Sequence, residues 1–212
     1  MITPPRRADG PLVLADIGGY TSFLRVVQVA HAEDAFADGN VPDAYGFVSS
    51  LLDGIVGELV PPFTLSKLEG DAVFAYAETD AALPRGDALL ACIEACYAEF
   101  QRRLGQAHDI WTCRCDACMR INELDLKFIL HAGPYVIQSI AGAAELVGPE
   151  VVMAHRLLKN DALAVLGSGA YALLTADAVQ RFGVPTDAAT PMPATYEHYE
   201  PIDTFLYRLP RA

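Results

Sequence analysis

Residues 12–24 read LVLADIGGYTSFL. An apolar run ends in one carboxylate, Asp16, and passes through Gly18-Gly19 into a Thr/Ser pair. That is the pattern of a buried strand, a turn and the start of a helix. A lone acid at the end of an apolar strand costs free energy unless it meets a cation or hydrogen-bond donors. Residues 65–76, LSKLEGDAVFAY, repeat the arrangement with Gly70-Asp71 between apolar flanks. Two acids at neighbouring strand ends suit a hard divalent cation, which takes carboxylate oxygens and substrate phosphates. The backbone from Ile17 through Gly18 and Gly19, leading into a helix, would turn N–H groups towards a phosphate. Read singly, each Asp is more often a turn or cap residue, because Asp before Gly is common in ordinary loops.

The composition sets the outer limits. The chain has 212 residues, enough for one domain with a real core. It is 52% apolar and 20% charged, as a globular chain is. A net charge of −12 argues against a nucleic-acid surface, which needs a basic stripe. It leaves room for a nucleotide, which needs only local donors and a metal. The polar, proline-rich start MITPPRRADG lacks the apolar core of a secretion signal. The longest uncharged run, 128–144, is too short and too interrupted to insert in a membrane. Cytoplasmic residence is the expectation.

In order along the chain, residues 1–10 read as a flexible arm and 11–212 as one domain. Residues 12–15 read as a strand, 18–29 as a helix and 31–43 as a loop. An amphipathic helix over 44–60 stops at Pro61-Pro62. Strands over 63–68 and 72–77 form a hairpin through Glu69-Gly70-Asp71. A second long helix over 87–104 is stopped by Gly105. An irregular insert follows at about 108–123, then strands over 124–131 and 135–140 on either side of Gly133-Pro134. A helix over 150–158, a strand over 170–174, a helix capped by Thr175, a loop over 189–194 and a last strand over 204–209 complete the chain. Hairpins mixed with helices predict an α+β fold, a mostly antiparallel sheet covered by helices.

The insert carries Cys113, Cys115 and Cys118 in a C-x-C-x-x-C spacing. Three thiolates this close can hold zinc tetrahedrally, with a fourth ligand from elsewhere; His108 and Cys96 are the nearest candidates. A redox pair or unpaired surface thiols are the plainer alternatives, and a reduced compartment suits all three. Trp111 would pack the insert. Cys92 and Cys96 sit on an apolar helix face and read as core residues. His131 reads as a packed, hydrogen-bonded histidine, and His155 is assigned no role.

Four segments, in order, resemble the class III adenylate and guanylate cyclases. ADIGGYTSFL resembles their F-x-D-I-x-G-F-T stretch, and KLEGDAVFAY their K-x-x-G-D-A-x-x-A segment. LKFILHAGPYVIQSIAG is similar to their strand pair with G-I-H-x-G-P, and ELVGPEVVMAHRLL to the D-x-x-G-x-x-V-N-x-A-x-R helix. The Cys-rich insert and HRLLKN resemble an uncharacterised, partly degenerate bacterial branch of that superfamily, DUF2652-like. The resemblance implies a ferredoxin-like cyclase fold acting as a homodimer with sites at the interface. It implies that Asp16, Asp71 and the Ile17 carbonyl hold Mg²⁺ or Mn²⁺. Lys67 and Glu145 fall where adenine is read, and Arg156 where the transition state is stabilised. The family's asparagine, four residues before that arginine, is Val152 here, which cannot donate a hydrogen bond. The family's second phosphate-binding lysine has no match in 162–170. Tyr20 replaces a Phe, and Glu69 an apolar residue.

The expected function is metal-dependent ATP binding with slow conversion to cyclic AMP. The alternative is a catalytically inactive homologue acting as a nucleotide-binding sensor or a dimeric interaction module.

Overall fold

The computed structural model describes residues 4–33, 41, 43–110 and 113–211. Its centre is a mixed sheet in the order β2-β3-β1-β4-β6-β8-β7, with β5 paired to β4. The strands are β1 (Arg6–Gly18), β2 (Thr64–Glu69), β3 (Ala72–Tyr76), β4 (Asp125–Ile140), β5 (Ala143–Val147), β6 (Tyr171–Thr175), β7 (Thr190–Pro191) and β8 (Thr204–Arg208). Every strand pairing is antiparallel except β4 with β6. The helices are α1 (Tyr20–Ala30), α2 (Asp43–Leu59), α3 (Asp87–Ile110), α4 (Asp116–Met119), α5 (Pro149–Arg156), α6 (Ala162–Leu166) and α7 (Ala176–Phe182). A 3-10 turn, Arg120–Glu123, joins α4 to β4.

Strand alternation divides the core in two. Val13, Ala15, Ile17, Val73, Phe128 and Leu130 face one way, against residues of α1, α2, α3 and α7. Leu12, Leu14, Phe74, Ile129, Leu173 and Leu206 face the other, against α5 and α6. Asp16 belongs by alternation to the second face, at the end of its row of leucines.

The expected α+β architecture is present, with several local differences. Residues 6–10 are not a loose arm: β1 starts at Arg6 because Arg6 to Gly10 pair with Ile137 to Gly133 of β4. Gly133-Pro134 does not split β4. At Pro134 the strand has left β6 and has not yet met β5, so the missing N–H costs no bond on that side. Gly105 does not stop α3; Leu104 and Ala107 continue its buried stripe, which outweighs the roughly 1 kcal/mol cost of a helical glycine. Strand β5, helix α6 and the short β7 lie where no regular element was expected. The segment 34–40, within the expected loop, and Trp111 lie outside the described residues. Thr175 caps α7 as expected, its hydroxyl accepting from the Ala178 N–H.

Candidate functional site

The register places one row of side chains across four strands. Glu69 of β2 faces Ala72 of β3, Ala72 faces Asp16 of β1, and Asp16 faces Lys127 of β4. The row continues from Lys127 to Tyr171 of β6. Asp16 is largely buried and bonded to the Lys127 ammonium at 2.7 Å. The carboxylate that the sequence left unexplained therefore meets a cation within its own chain. Nothing short of the β1–β4 register marks Lys127 as that partner.

Asp71 follows the turn glycine of the β2–β3 hairpin. Its backbone carbonyl accepts the Ile17 N–H at 3.1 Å, which fastens the hairpin tip to the end of β1. Burial pushes the Asp71 carboxyl above its ordinary value, and the nearby Asp16 charge adds to the rise. The two predicted acids are thus close enough to repel. The Tyr20 phenol is raised by burial first and by the Asp71 charge second. Ile17 is buried, and Gly18 and Gly19 lead into α1. Gly19 has φ +86° at the N-cap, a left-handed conformation that a side chain would strain. No side chain caps the first turn of α1 and no acid lies in it. Gly18, Gly19, Lys127, Tyr171 and Arg208 border a cavity of about 670 Å³.

A bulge in β2 builds the neighbouring cluster. The pairing with β3 slips between Leu65 and Lys67, so Lys67 stands opposite Phe74 instead of Val73. Phe74 belongs to the α5 face and Val73 to the opposite one. The extra residue therefore swings Lys67 to the α5 side, a known consequence of a bulge. There its ammonium bonds Glu145 of β5 at 2.8 Å and lies 3.5 Å from Glu69. The Lys67 pKa is raised, chiefly by the bond to Glu145.

His155 completes the group. Its Nε2 lies 2.8 Å from Glu69 and its Nδ1 2.7 Å from the Val151 carbonyl. Both ring nitrogens thus lie within hydrogen-bond distance of an oxygen. The ring also packs edge-on against Phe74 at 4.9 Å. Lys67, Glu145, Glu69 and His155 thus form one connected polar group. The sequence reading assigned His155 nothing; α5 carries it to Glu69, a contact 86 residues apart in the chain.

Lys67, Glu69, Val152, His155 and Arg156 line a cavity of about 450 Å³. Val152 is 46% exposed, an apolar surface at the place where a donor was expected. The Arg156 guanidinium donates to the Glu197 carbonyl at 2.9 Å and lies 5.1 Å from the Tyr199 ring. Among the described residues, no ion pair or hydrogen bond joins Arg156 to Asp16 or Asp71 within one chain.

His131 is the satisfied core histidine that was expected. It is buried, with Nδ1 3.1 Å from the Thr175 hydroxyl and Nε2 2.6 Å from Glu150. Cys96 is buried at the α2–α3 contact, its sulfur 3.9 Å from the Ile55 carbonyl. It therefore stands apart from the Cys-rich insert, and the side chain of His108 lies outside the described residues. The imidazole that the insert does meet is His31, just after α1. Its Nε2 is 3.7, 3.4 and 3.3 Å from the sulfurs of Cys113, Cys115 and Cys118. The loop reading of 31–43 gave no hint of it.

Residues 48–165 match the family described as protein of unknown function (DUF2652). An uncharacterised protein of Mycobacterium tuberculosis (strain ATCC 25618 / H37Rv), Rv2561/Rv2562, is 31% identical over 117 residues, 54% of this chain and 52% of its own. The match thus spans about half the length of that curated relative. The adenylyl cyclase CyaB from P. aeruginosa superposes with a TM-score of 0.64 over 96% of this chain and 95% of its own, at 13% identity. A class III adenylyl cyclase-like ATP-binding protein from Pseudomonas aeruginosa gives 0.59 at 14% identity, over 88% of this chain and 37% of its own. At such identities the likeness speaks for the fold. The chain belongs to the DUF2652 family and is built on the α+β fold of the class III nucleotide cyclases.

Proposed function

We propose that this domain binds ATP together with Mg²⁺ or Mn²⁺ and converts it to cyclic AMP slowly. The observation that carries the reading is the Lys67–Glu145 pair, whose lysine the β2 bulge brings to the cavity that Val152 and Arg156 also line. An ammonium donor beside a carboxylate acceptor matches the ring nitrogen and exocyclic amine of adenine. Their mutual bond keeps both oriented until the base arrives.

The carboxylates fit a hard divalent cation. Asp16 and Asp71 bring two oxygen donors into mutual repulsion, which such a cation would relieve. Bound there, the metal supplies Lewis-acid polarisation and a template for phosphoryl transfer. Lys127, now paired with the Asp16 carboxylate, would be freed to meet a phosphate if a metal took that carboxylate. Val152 offers no hydrogen bond to ribose or to developing charge, which keeps turnover low. Arg156 lies on the cavity side and is held by the 197–199 segment, so the reading has two copies share each site. One copy brings Asp16 and Asp71, the other Lys67, Glu145 and Arg156. The −12 charge speaks against nucleic acid as a partner. No helix among the described residues is long and apolar enough to cross a membrane. Residence in the cytoplasm belongs to the same proposal.

Incubation with Mn²⁺ and ATP should stabilise the protein against heat beyond Mn²⁺ alone. Mass spectrometry should detect a trace of cyclic AMP that Asp71→Asn lacks. Val152→Asn, which restores a donor, should raise the rate by about 10²–10³. Absence of any ATP-dependent stabilisation would overturn the reading. The Asp16–Lys127 ion pair favours a second one, in which the site binds nucleotide as a sensor and performs no chemistry. Stabilisation without product, in both the natural chain and Val152→Asn, would select it.

A further inference from the structure

We propose that His31, Cys113, Cys115 and Cys118 form a structural zinc site that clamps the end of α1 to α4. In a tetrahedral site with zinc–sulfur bonds of about 2.3 Å and zinc–nitrogen bonds of about 2.0–2.1 Å, nitrogen and sulfur ligands stand about 3.6 Å apart. The three nitrogen–sulfur separations here are 3.3, 3.4 and 3.7 Å. All four ligand atoms lie within 4.8 Å of one another. Separations set by hydrogen bonding to one imidazole nitrogen would not bring three sulfurs around it, since that nitrogen has one proton or one lone pair to share. The cysteines are free thiols, so no disulfide explains the cluster.

The surroundings are those of a closed site. Cys118 is 3% exposed and belongs to the main core with Ile121 and Leu124, and Cys113 and Cys115 pack against it. The Cys115 sulfur accepts the Cys118 backbone N–H at 3.5 Å, which orients it towards the shared centre. Three thiolates and one imidazole leave no coordination position open, the composition of a structural zinc centre and not a hydrolytic one. On binding, the thiols release their protons to solvent as the zinc–sulfur bonds form.

The location gives the site its purpose. His31 is the residue after the last turn of α1, and its N–H still bonds the Val27 carbonyl. Helix α1 has 11 residues and buries only Phe23 and Val27. Its other end is the Gly18-Gly19 turn. A metal at His31 therefore fixes the far end of a weakly anchored helix, and with it the direction in which that turn presents its N–H groups. The clamp does not depend on nucleotide chemistry, and its tests need no activity.

Elemental analysis of the full chain, purified without added metal, should find one zinc per chain. Exchange with cobalt(II) should give the intense visible bands of tetrahedral thiolate coordination. His31→Cys should keep the metal and shift those bands, whereas His31→Ala should lose at least about tenfold in affinity, the lower end of what even outer-shell changes cost. In the natural chain, chelation should speed amide hydrogen exchange across residues 20–30 and leave β1 and β4 protected. Absence of zinc together with absence of cobalt bands would overturn the site. An unchanged affinity in His31→Ala would overturn the histidine ligand, and unchanged exchange in α1 would overturn the clamp.

Discussion

Asp71 stands at the tip of the β2–β3 hairpin, where its backbone carbonyl accepts the Ile17 N–H. Its carboxyl is held above the ordinary value by burial first and by the Asp16 charge second, so its ionisation opposes folding. The penalty is absent below the ordinary carboxylate pKa, grows as pH rises towards the raised native value, and is complete above it. Metal-free Asp71→Asn should therefore be more stable than the natural protein at neutral pH, by about 1–3 °C in Tm. Thermal scans along a pH series should show that gain shrinking as pH falls through the carboxylate range. On the proposed reading Mn²⁺ should stabilise the natural protein, and the same substitution should abolish that gain. A residue that stabilises when removed, and costs metal binding when removed, is kept for the metal. A flat pH series would show Asp71 to be an ordinary turn residue.

At the scale of elements, two strands set the site. The bulge in β2 decides which face Lys67 serves, and the long β1–β4 ladder decides that Asp16 meets Lys127. Strand β1 can begin as early as Arg6 because the chain passes very close to Ala77 beside Gly10. A methyl group on Gly10 would fall 1.9 Å from the Ala77 carbonyl oxygen, where Ala77 also donates its N–H to Pro11. Backbone on both sides leaves nothing to move aside. Gly10→Ala should cost at least about 2 kcal/mol, read by urea unfolding, with the fold retained. A loss within 0.5 kcal/mol, the ordinary range for surface changes, would mean that the start of β1 is not fixed by that contact.

At the scale of the whole molecule, the question is whether one chain holds a complete site. The Asp16 charge acts on Asp71, Lys67, Val152 and Arg156 line a separate cavity with Glu145 bonded to Lys67, and Arg156 is turned to Glu197 and Tyr199. If two copies share each site, Asp71→Asn and Lys67→Ala chains should each fail to bind Mn²⁺-ATP alone. Mixed in equal amounts, half the dimers are heterodimers with one intact site of two, so about a quarter of the sites should return. Calorimetric titration reads that stoichiometry directly. No recovery on mixing would place the complete site within one chain.

The amino-acid sequence alone carries the α+β class, most of the helices and strands, and the hairpin at Gly70-Asp71. Periodicity, turn residues and motif order are local, and local patterns carry that information. It also brought out the three cysteines, because their spacing is short. The partners come from the packing of the folded chain: Lys127 for Asp16, Glu69 for His155, His31 for the cysteines. Each of these contacts depends on strand register, on a one-residue bulge or on where a helix ends, and links residues 82 to 111 positions apart, as His31–Cys113, His155–Glu69 and Asp16–Lys127 do. No pattern within a window of sequence records such a meeting; the packed sheet and the helices laid on it do.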